Sequence, residues 1–145
     1  MPSLAFGEAV FNENKDEFTG EDNSSVQIIG SNMEIPILGW KCFSRTGLNA
    51  LLATGNRLGG DRDDEVIVRI KIDDNEPSEP RFYSLSPSGN ITIFDLDDVP
   101  KFTADAISAK EVMIRITDPL DYERLTTTFS TNGLESALTN LPCYP

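Results

Sequence analysis

Histidine is absent from this sequence of 145 residues, and basic residues are scarce. Without an imidazole the chain has no histidine general base, no histidine-dependent catalytic triad and no histidine metal ligand. Only 12 lysines and arginines stand against 24 aspartates and glutamates, which gives a formal net charge of -12. Because nucleic acids and anionic lipids carry dense negative charge, this balance argues against both as partners. No run of 18 apolar residues occurs, so the sequence predicts no membrane insertion.

Cysteine is nearly absent as well, since Cys42 and Cys143 are the only two. Two thiolates cannot complete a four-thiolate zinc site. In an oxidising compartment a disulfide between them would close a loop of about 100 residues, which the chain-entropy model values at up to about 5 kcal/mol. Two buried free thiols are the alternative, and the residues alone leave both open.

Alternation of apolar and polar residues predicts a mainly β protein. Strands are predicted at 24–29, 36–44, 48–54, 65–73, 81–86, 90–94, 111–117 and 124–130. Short helices are predicted at 97–108, where an aspartate precedes Pro100, and at about 133–141. We therefore expect an antiparallel β-sandwich or open barrel of seven to eight strands, with two short helices covering an edge or an end.

The acidic residues divide the chain into two parts. Residues 1–23 hold six acids and one lysine, with little apolar periodicity, and are predicted to form a mobile or loosely docked acidic arm. Residues 24–145 are predicted to form a single β-rich domain.

Further acids gather at 61–65, 73–79 and 95–98. If the strands at 65–73, 81–86 and 90–94 form an antiparallel meander, the second and third groups lie at the same end of the sheet. Hard cations need several converging oxygens, so the candidate calcium ligands are Asp73, Asp74, Asp95 and Asp97. The alternative is a set of solvated turn acids and a helix cap, and no EF-hand spacing occurs.

No residue is predicted to be catalytic. The acids lie in polar, turn-like settings rather than in the apolar pocket that raises the pKa of a catalytic acid. The threonine and serine run at 126–130 has no base beside it to activate a nucleophile. The sequence therefore predicts a protein that is not an enzyme and requires no cofactor.

Arg69 and Arg115 are the candidate binding residues. Each is central in an otherwise apolar strand, on the side opposite the valine and isoleucine row. A guanidinium group there is either solvated, paired with a buried acid, or a clamp for an anionic partner. Tyr83, on a neighbouring strand, is predicted to stack on Arg69. Trp40 is predicted to be a core residue.

Several short motifs follow one another in the order GWKC at 39–42, LGGD at 58–61, VIVRIKID at 66–73, FYSLSPSGN at 82–90, MIRIT at 113–117 and TTTFSTNGLESALTNLPC at 126–143. Over residues 36–145 this order resembles the VasI (TagO) family of type VI secretion-associated proteins and related exported bacterial domains. Tyr83 departs from the pattern, because family members usually have tryptophan there. An N-terminal cysteine-containing segment that many members carry is not present in this sequence.

The resemblance implies a periplasmic or secreted location and an oxidised Cys42–Cys143 pair. It also implies a non-enzymatic accessory domain that binds a protein partner in the bacterial envelope, with type VI secretion as the family-specific expectation. The alternative function is a calcium- or glycan-binding β-sandwich module that uses the turn carboxylates.

Overall fold

A computed structural model describes residues 8–145. In this range nine antiparallel strands form one sheet, in the order β1-β2-β3-β4-β7-β6-β5-β8-β9. The strands are β1 Val10–Asn12, β2 Ser25–Ile29, β3 Ile37–Phe43, β4 Gly47–Ala53, β5 Glu65–Ile72, β6 Arg81–Leu85, β7 Ile91–Ile93, β8 Glu111–Thr117 and β9 Arg124–Ser130. Two short helices, α1 Val99–Ser108 and α2 Leu134–Leu138, complete the domain. The predicted mainly β class with two short helices is confirmed.

The sheet curls so that its last strand meets the loop after β2. Ser31 donates its backbone N–H to the Thr128 carbonyl oxygen, and its Oγ accepts the Thr128 N–H at 3.1 Å. Glu34 Oε1 accepts the Thr126 N–H at 3.0 Å, and Asn32 Nδ2 donates to the Thr126 carbonyl at 2.9 Å. Because these contacts occupy the outer edge of β9, that edge is not free to pair with an added strand.

Gly30 allows the loop to lie this close to β9. A Cβ atom at this position would come within 2.3 Å of Thr127 Cγ2 and within 2.8 Å of the Ile35 carbonyl oxygen. Thr127 is itself buried, and its hydroxyl accepts the Ile35 N–H and donates to Asn32 Oδ1. The closure of the sheet therefore depends on a residue without a side chain at this point.

Helix α1 covers the inner face of the sheet through aromatic packing. Trp40 of β3 is fully buried and stacks on Phe102 of the helix, with ring centroids 5.8 Å apart. Phe102 in turn contacts Phe94, which contacts Tyr83 of β6. The indole N–H of Trp40 donates to Thr103 Oγ1 at 3.0 Å, so its polar atom is satisfied. Trp40 is therefore a core residue, as predicted.

A disulfide links Cys42 in β3 to Cys143 in the segment after α2, with Cα atoms 5.9 Å apart. The bond ties the end of the described chain to the third strand of the sheet. None of the helices in residues 8–145 has the length and apolar character needed to cross a lipid bilayer.

Part of the predicted acidic arm belongs to the sheet. Val10–Asn12 pair with Ser25–Gln27 as an edge strand, and the N–H of Ala9 donates to the Asn132 carbonyl. Strand β1 is only three residues long and contributes the half-buried Phe11, so its apolar pattern is too short to stand out in the sequence. Residues 1–7 of the predicted arm lie outside the described range.

Candidate functional site

The two predicted arginines lie side by side on the outer face of the sheet. The register of β5 and β8 places Arg69 directly opposite Arg115, and both side chains are exposed. Their neighbours in sequence, such as Val68 and Ile114, point into the core. Like charges directly opposite each other on paired strands are destabilising. The pair therefore has no evident role in stabilising the sheet.

Neither guanidinium is neutralised by the described part of the chain. The Nε of Arg69 donates to the Ser78 carbonyl oxygen, and the Nε of Arg115 donates to Thr126 Oγ1, each at 2.9 Å. The two ion pairs within 4.0 Å in residues 8–145 involve Arg81 and Lys101 instead. The predicted alternative of a buried ion pair is therefore wrong. The Nε contacts orient the two groups and leave their terminal nitrogens free of carboxylates.

A small cleft on the outer face of the sheet is lined by the two arginines and neighbouring side chains. This arginine cleft has a volume of about 200 Å³ and is lined by Arg69, Ile70, Lys71, Pro77, Met113, Arg115 and Thr126. Pockets for whole small molecules usually measure about 300–1,000 Å³, so this cleft suits a single side chain better. It presents three cations around an apolar floor. Lys71 could have been recognised from the sequence, because it follows Arg69 by two residues and shares its face.

Tyr83 is not part of this cleft. The register of β6 with β5 places it opposite Val66, so its ring points into the core and is 3% exposed. Its hydroxyl donates to Asp98 Oδ2 at 2.8 Å. Burial raises the pKa of Tyr83 above its ordinary value, and the hydrogen bond to Asp98 raises the pKa further. The predicted stacking of Tyr83 on Arg69 is therefore wrong.

The four predicted calcium ligands do not converge. In residues 8–145, no three of these carboxylates place oxygen atoms within 4.8 Å of one another. Asp73 Oδ1 accepts the backbone N–H groups of Lys110 and Glu111, at 2.9 and 3.0 Å. Asp95 Oδ1 accepts the Asp97 N–H at the start of the turn that leads into α1. Asp74 is exposed beyond the end of β5.

A different acidic group, Asp61, Asp63 and Glu65, does bring oxygens within 4.8 Å of one another. Local backbone geometry accounts for this arrangement. Asp61 Oδ1 accepts the N–H groups of Asp63 and Glu65, at 2.9 and 3.0 Å, which orders the loop before β5.

A second concavity, the helix groove, lies between α1 and the end of β5. It has a volume of about 530 Å³, and its lining includes Glu76, Asp97, Asp98 and Asp105 together with Ile70, Ile72, Arg81, Tyr83, Lys101 and Phe102. The predicted meander placed the acids of 73–79 and 95–98 at one end of the sheet, and both segments do line this groove. The sequence did not predict the groove itself, because α1 forms one of its walls and the position of α1 beside β5 is set by tertiary packing.

The fold and the arginine cleft define a small, disulfide-linked antiparallel β domain with a cationic cleft on its outer face. No family model matches the chain, and comparisons with curated proteins and with solved structures find no match. Membership of the VasI family therefore stays a prediction.

Proposed function

We propose that this protein is a non-enzymatic domain that binds another protein through the arginine cleft, with the partner contributing an acidic segment. The observation that carries the proposal is the direct opposition of Arg69 and Arg115, neither of which has a carboxylate within 4.0 Å in residues 8–145. Two exposed cations held opposite each other repel, and this repulsion lowers the stability of the sheet. An anion that binds between them offsets the repulsion.

Charge complementarity points to the same class of partner. The chain has a net charge of -12, yet three of its cations surround one cleft. A cationic patch on an otherwise acidic surface favours one orientation of an acidic partner and disfavours contact elsewhere on the domain. Guanidinium groups also bind carboxylates bidentately, which adds geometric selectivity.

The proposed location is the bacterial envelope, in the periplasm or outside the cell. The disulfide supports this location, because disulfides persist mainly in oxidising compartments. The resemblance to the VasI family supports it independently, and a role in type VI secretion rests on that resemblance alone.

Arg69→Glu should weaken binding of an acidic peptide roughly 30-fold, which corresponds to about 2 kcal/mol. The substitution places a carboxylate opposite Arg115 and removes one of the cations that face the ligand. The melting temperature should stay unchanged or rise slightly, because a like-charge pair becomes an opposite-charge pair. The affinity is measured by the fluorescence anisotropy of a labelled, glutamate-rich peptide, which contains one phenylalanine to contact the apolar floor of the cleft. Thermal unfolding measures the stability.

Arg62→Glu is the matched control, since Arg62 is an exposed arginine in the loop before β5 and outside the cleft. It changes the net charge equally and should leave peptide affinity nearly intact. Equal loss of affinity in both variants would show that only net charge matters. A marked fall in melting temperature for Arg69→Glu would assign Arg69 a structural role instead.

The helix groove favours one rival function, the predicted calcium- or glycan-binding module, because four acids line it. Its two rings, Tyr83 and Phe102, are 3% and 5% exposed, so neither offers an open face for stacking on a sugar. Calcium binding would need several converging oxygens. Asp73, one of the predicted ligands, already accepts hydrogen bonds from two backbone N–H groups.

Millimolar calcium should therefore leave the melting temperature unchanged. A ligand that binds only the folded state raises it, so a thermal-shift titration with calcium, and with magnesium for comparison, measures the effect directly. A calcium-specific increase that Asp97→Asn abolishes would favour the rival function over the arginine cleft.

A further inference from the structure

Building on the proposed function, we infer that the acidic segment is supplied by a second copy of this chain. The segment is the acidic turn 16–22, and the residue that enters the arginine cleft is Phe18. Copies of the protein would then associate head to tail, each using its turn on the next copy's cleft.

The acidic turn is a preformed tip that presents an aromatic ring. Asp16 Oδ1 accepts the N–H groups of Phe18 and Thr19, at 2.8 and 3.3 Å, and these hydrogen bonds hold the pKa of Asp16 below its ordinary value. The N–H of Gly20 donates to the Asp16 carbonyl at 2.7 Å, with Gly20 at a φ of 76°. The side chain of Phe18 is 96% exposed.

The turn and the cleft are complementary in size and charge. Phe18 is flanked in sequence by Glu17 and, beyond the tip, by Glu21, and the turn also contains Asp16 and Asp22. The cleft offers about 200 Å³ over an apolar floor, bordered by Arg69, Lys71 and Arg115. One aromatic ring on that floor would bring neighbouring carboxylates to the guanidinium groups. An ordered turn also loses little conformational entropy on binding.

The turn cannot reach the cleft of its own molecule. Glu8 pairs with Asn132 in parallel, so β1 continues in the direction in which β9 ends. Arg115 contacts Thr126, near the start of β9. The six residue steps from Thr126 to Asn132 already span roughly 20 Å in extended chain, and the turn lies beyond the end of β1. A second copy is therefore required.

Such a contact joins two different surfaces, so it leaves one free turn and one free cleft on every assembly unless a ring closes. The net charge of -12 opposes association at low salt. At physiological ionic strength the Debye length is about 8 Å. Charges near the cleft therefore dominate the electrostatic interaction between two copies, and the repulsion between more distant acids is screened. Glu34 is one acid beside the cleft, because it accepts the N–H of the cleft residue Thr126.

Complementation between two variants tests the inference. Phe18→Ser removes the ring from the turn, and Arg69→Glu with Arg115→Glu removes the cations from the cleft. We expect the unmodified chain to form species heavier than 16.0 kDa with increasing concentration, and each variant alone to remain a monomer. An equal mixture should stop at the dimer, because it contains one intact turn and one intact cleft per pair. Light scattering after size-exclusion chromatography measures the masses.

Tyr122→Ser is the matched control for the turn, because Tyr122 is 77% exposed in a different turn and should not affect association. Circular dichroism verifies that each variant is folded, and Arg115→Gln replaces the double cleft variant if that variant is unfolded. A labelled peptide of residues 13–22 should also bind the unmodified chain, with weaker binding to the cleft variant.

A monomeric unmodified chain at all concentrations, or association that persists in Phe18→Ser, would overturn the inference. If the glutamate-rich peptide still binds the cleft in that case, the proposed function stands with a foreign protein as partner. If neither peptide distinguishes the cleft variant from the unmodified chain, the proposed function fails as well.

Discussion

Replacing Cys42 and Cys143 together by serine should lower the free energy of unfolding by about 4 kcal/mol. The disulfide joins residues 101 apart in sequence, and a cross-link over such a long loop strongly restricts the unfolded chain. It also holds the segment after α2 against β3, where the Cys143 N–H lies 3.3 Å from Cys42 Sγ. Urea unfolding of both proteins, monitored by the fluorescence of Trp40, measures the difference.

The unmodified chain treated with a reductant should unfold at the same urea concentration as the double serine variant. This agreement separates loss of the covalent bond from any effect of the serine side chains. A difference in unfolding free energy below about 1 kcal/mol would show that tertiary packing alone holds the segment after α2 against β3.

Asp118→Ala should lower the free energy of unfolding by about 3 kcal/mol, because it removes a buried carboxylate that binds three backbone groups. Asp118, 4% exposed at the end of β8, accepts the N–H groups of Gly59, Gly60 and Leu120, at 2.7, 2.9 and 3.1 Å. Alanine would leave these donors without a partner, with the Gly60 N–H buried. Chemical denaturation measures the loss.

Asp121→Ala is the matched control in the same hairpin turn. Asp121 is exposed and accepts one backbone N–H, from Glu123, so its removal should cost less than about 1 kcal/mol. Asp118→Asn should fall between the two alanine variants, since its amide keeps one acceptor oxygen. Equal costs for Asp118→Ala and Asp121→Ala would mean that burial of the carboxylate has no energetic consequence.

Asp118 also explains the LGGD motif, whose role the sequence did not reveal. A Cβ atom on Gly59 would meet Leu120 Cδ2 at 2.2 Å, and Gly60 has a φ of 74°. The two glycines let the loop before β5 lie against the turn after β8 and donate to one carboxylate. A pair of glycines in the sequence indicates an unusual backbone, but it does not say which distant residue the backbone meets.

The arginine pair shows where prediction from sequence stopped. Alternation along each strand correctly placed Arg69 and Arg115 on the side opposite the valine and isoleucine rows. Only the register of β5 with β8 decides that they face each other, and a shift of one residue would have separated them. The prediction that Tyr83 stacks on Arg69 was wrong for a related reason. In the strand RFYSL apolar residues occupy both faces, so the pattern does not say which face is inward.

By itself, the sequence determined the strand-forming segments, the two helices and the side of each central strand that carries an arginine, because these depend on a period of two or 3.6 residues along the chain. Only the tertiary structure decided that the two arginines lie opposite each other and that hydrogen bonds between Ser31 and Thr128 close the sheet. It also decided that Asp118 accepts the Gly59 N–H. Those contacts join residues up to 97 positions apart. Their geometry follows from packing and register across the whole sheet, which no local pattern encodes.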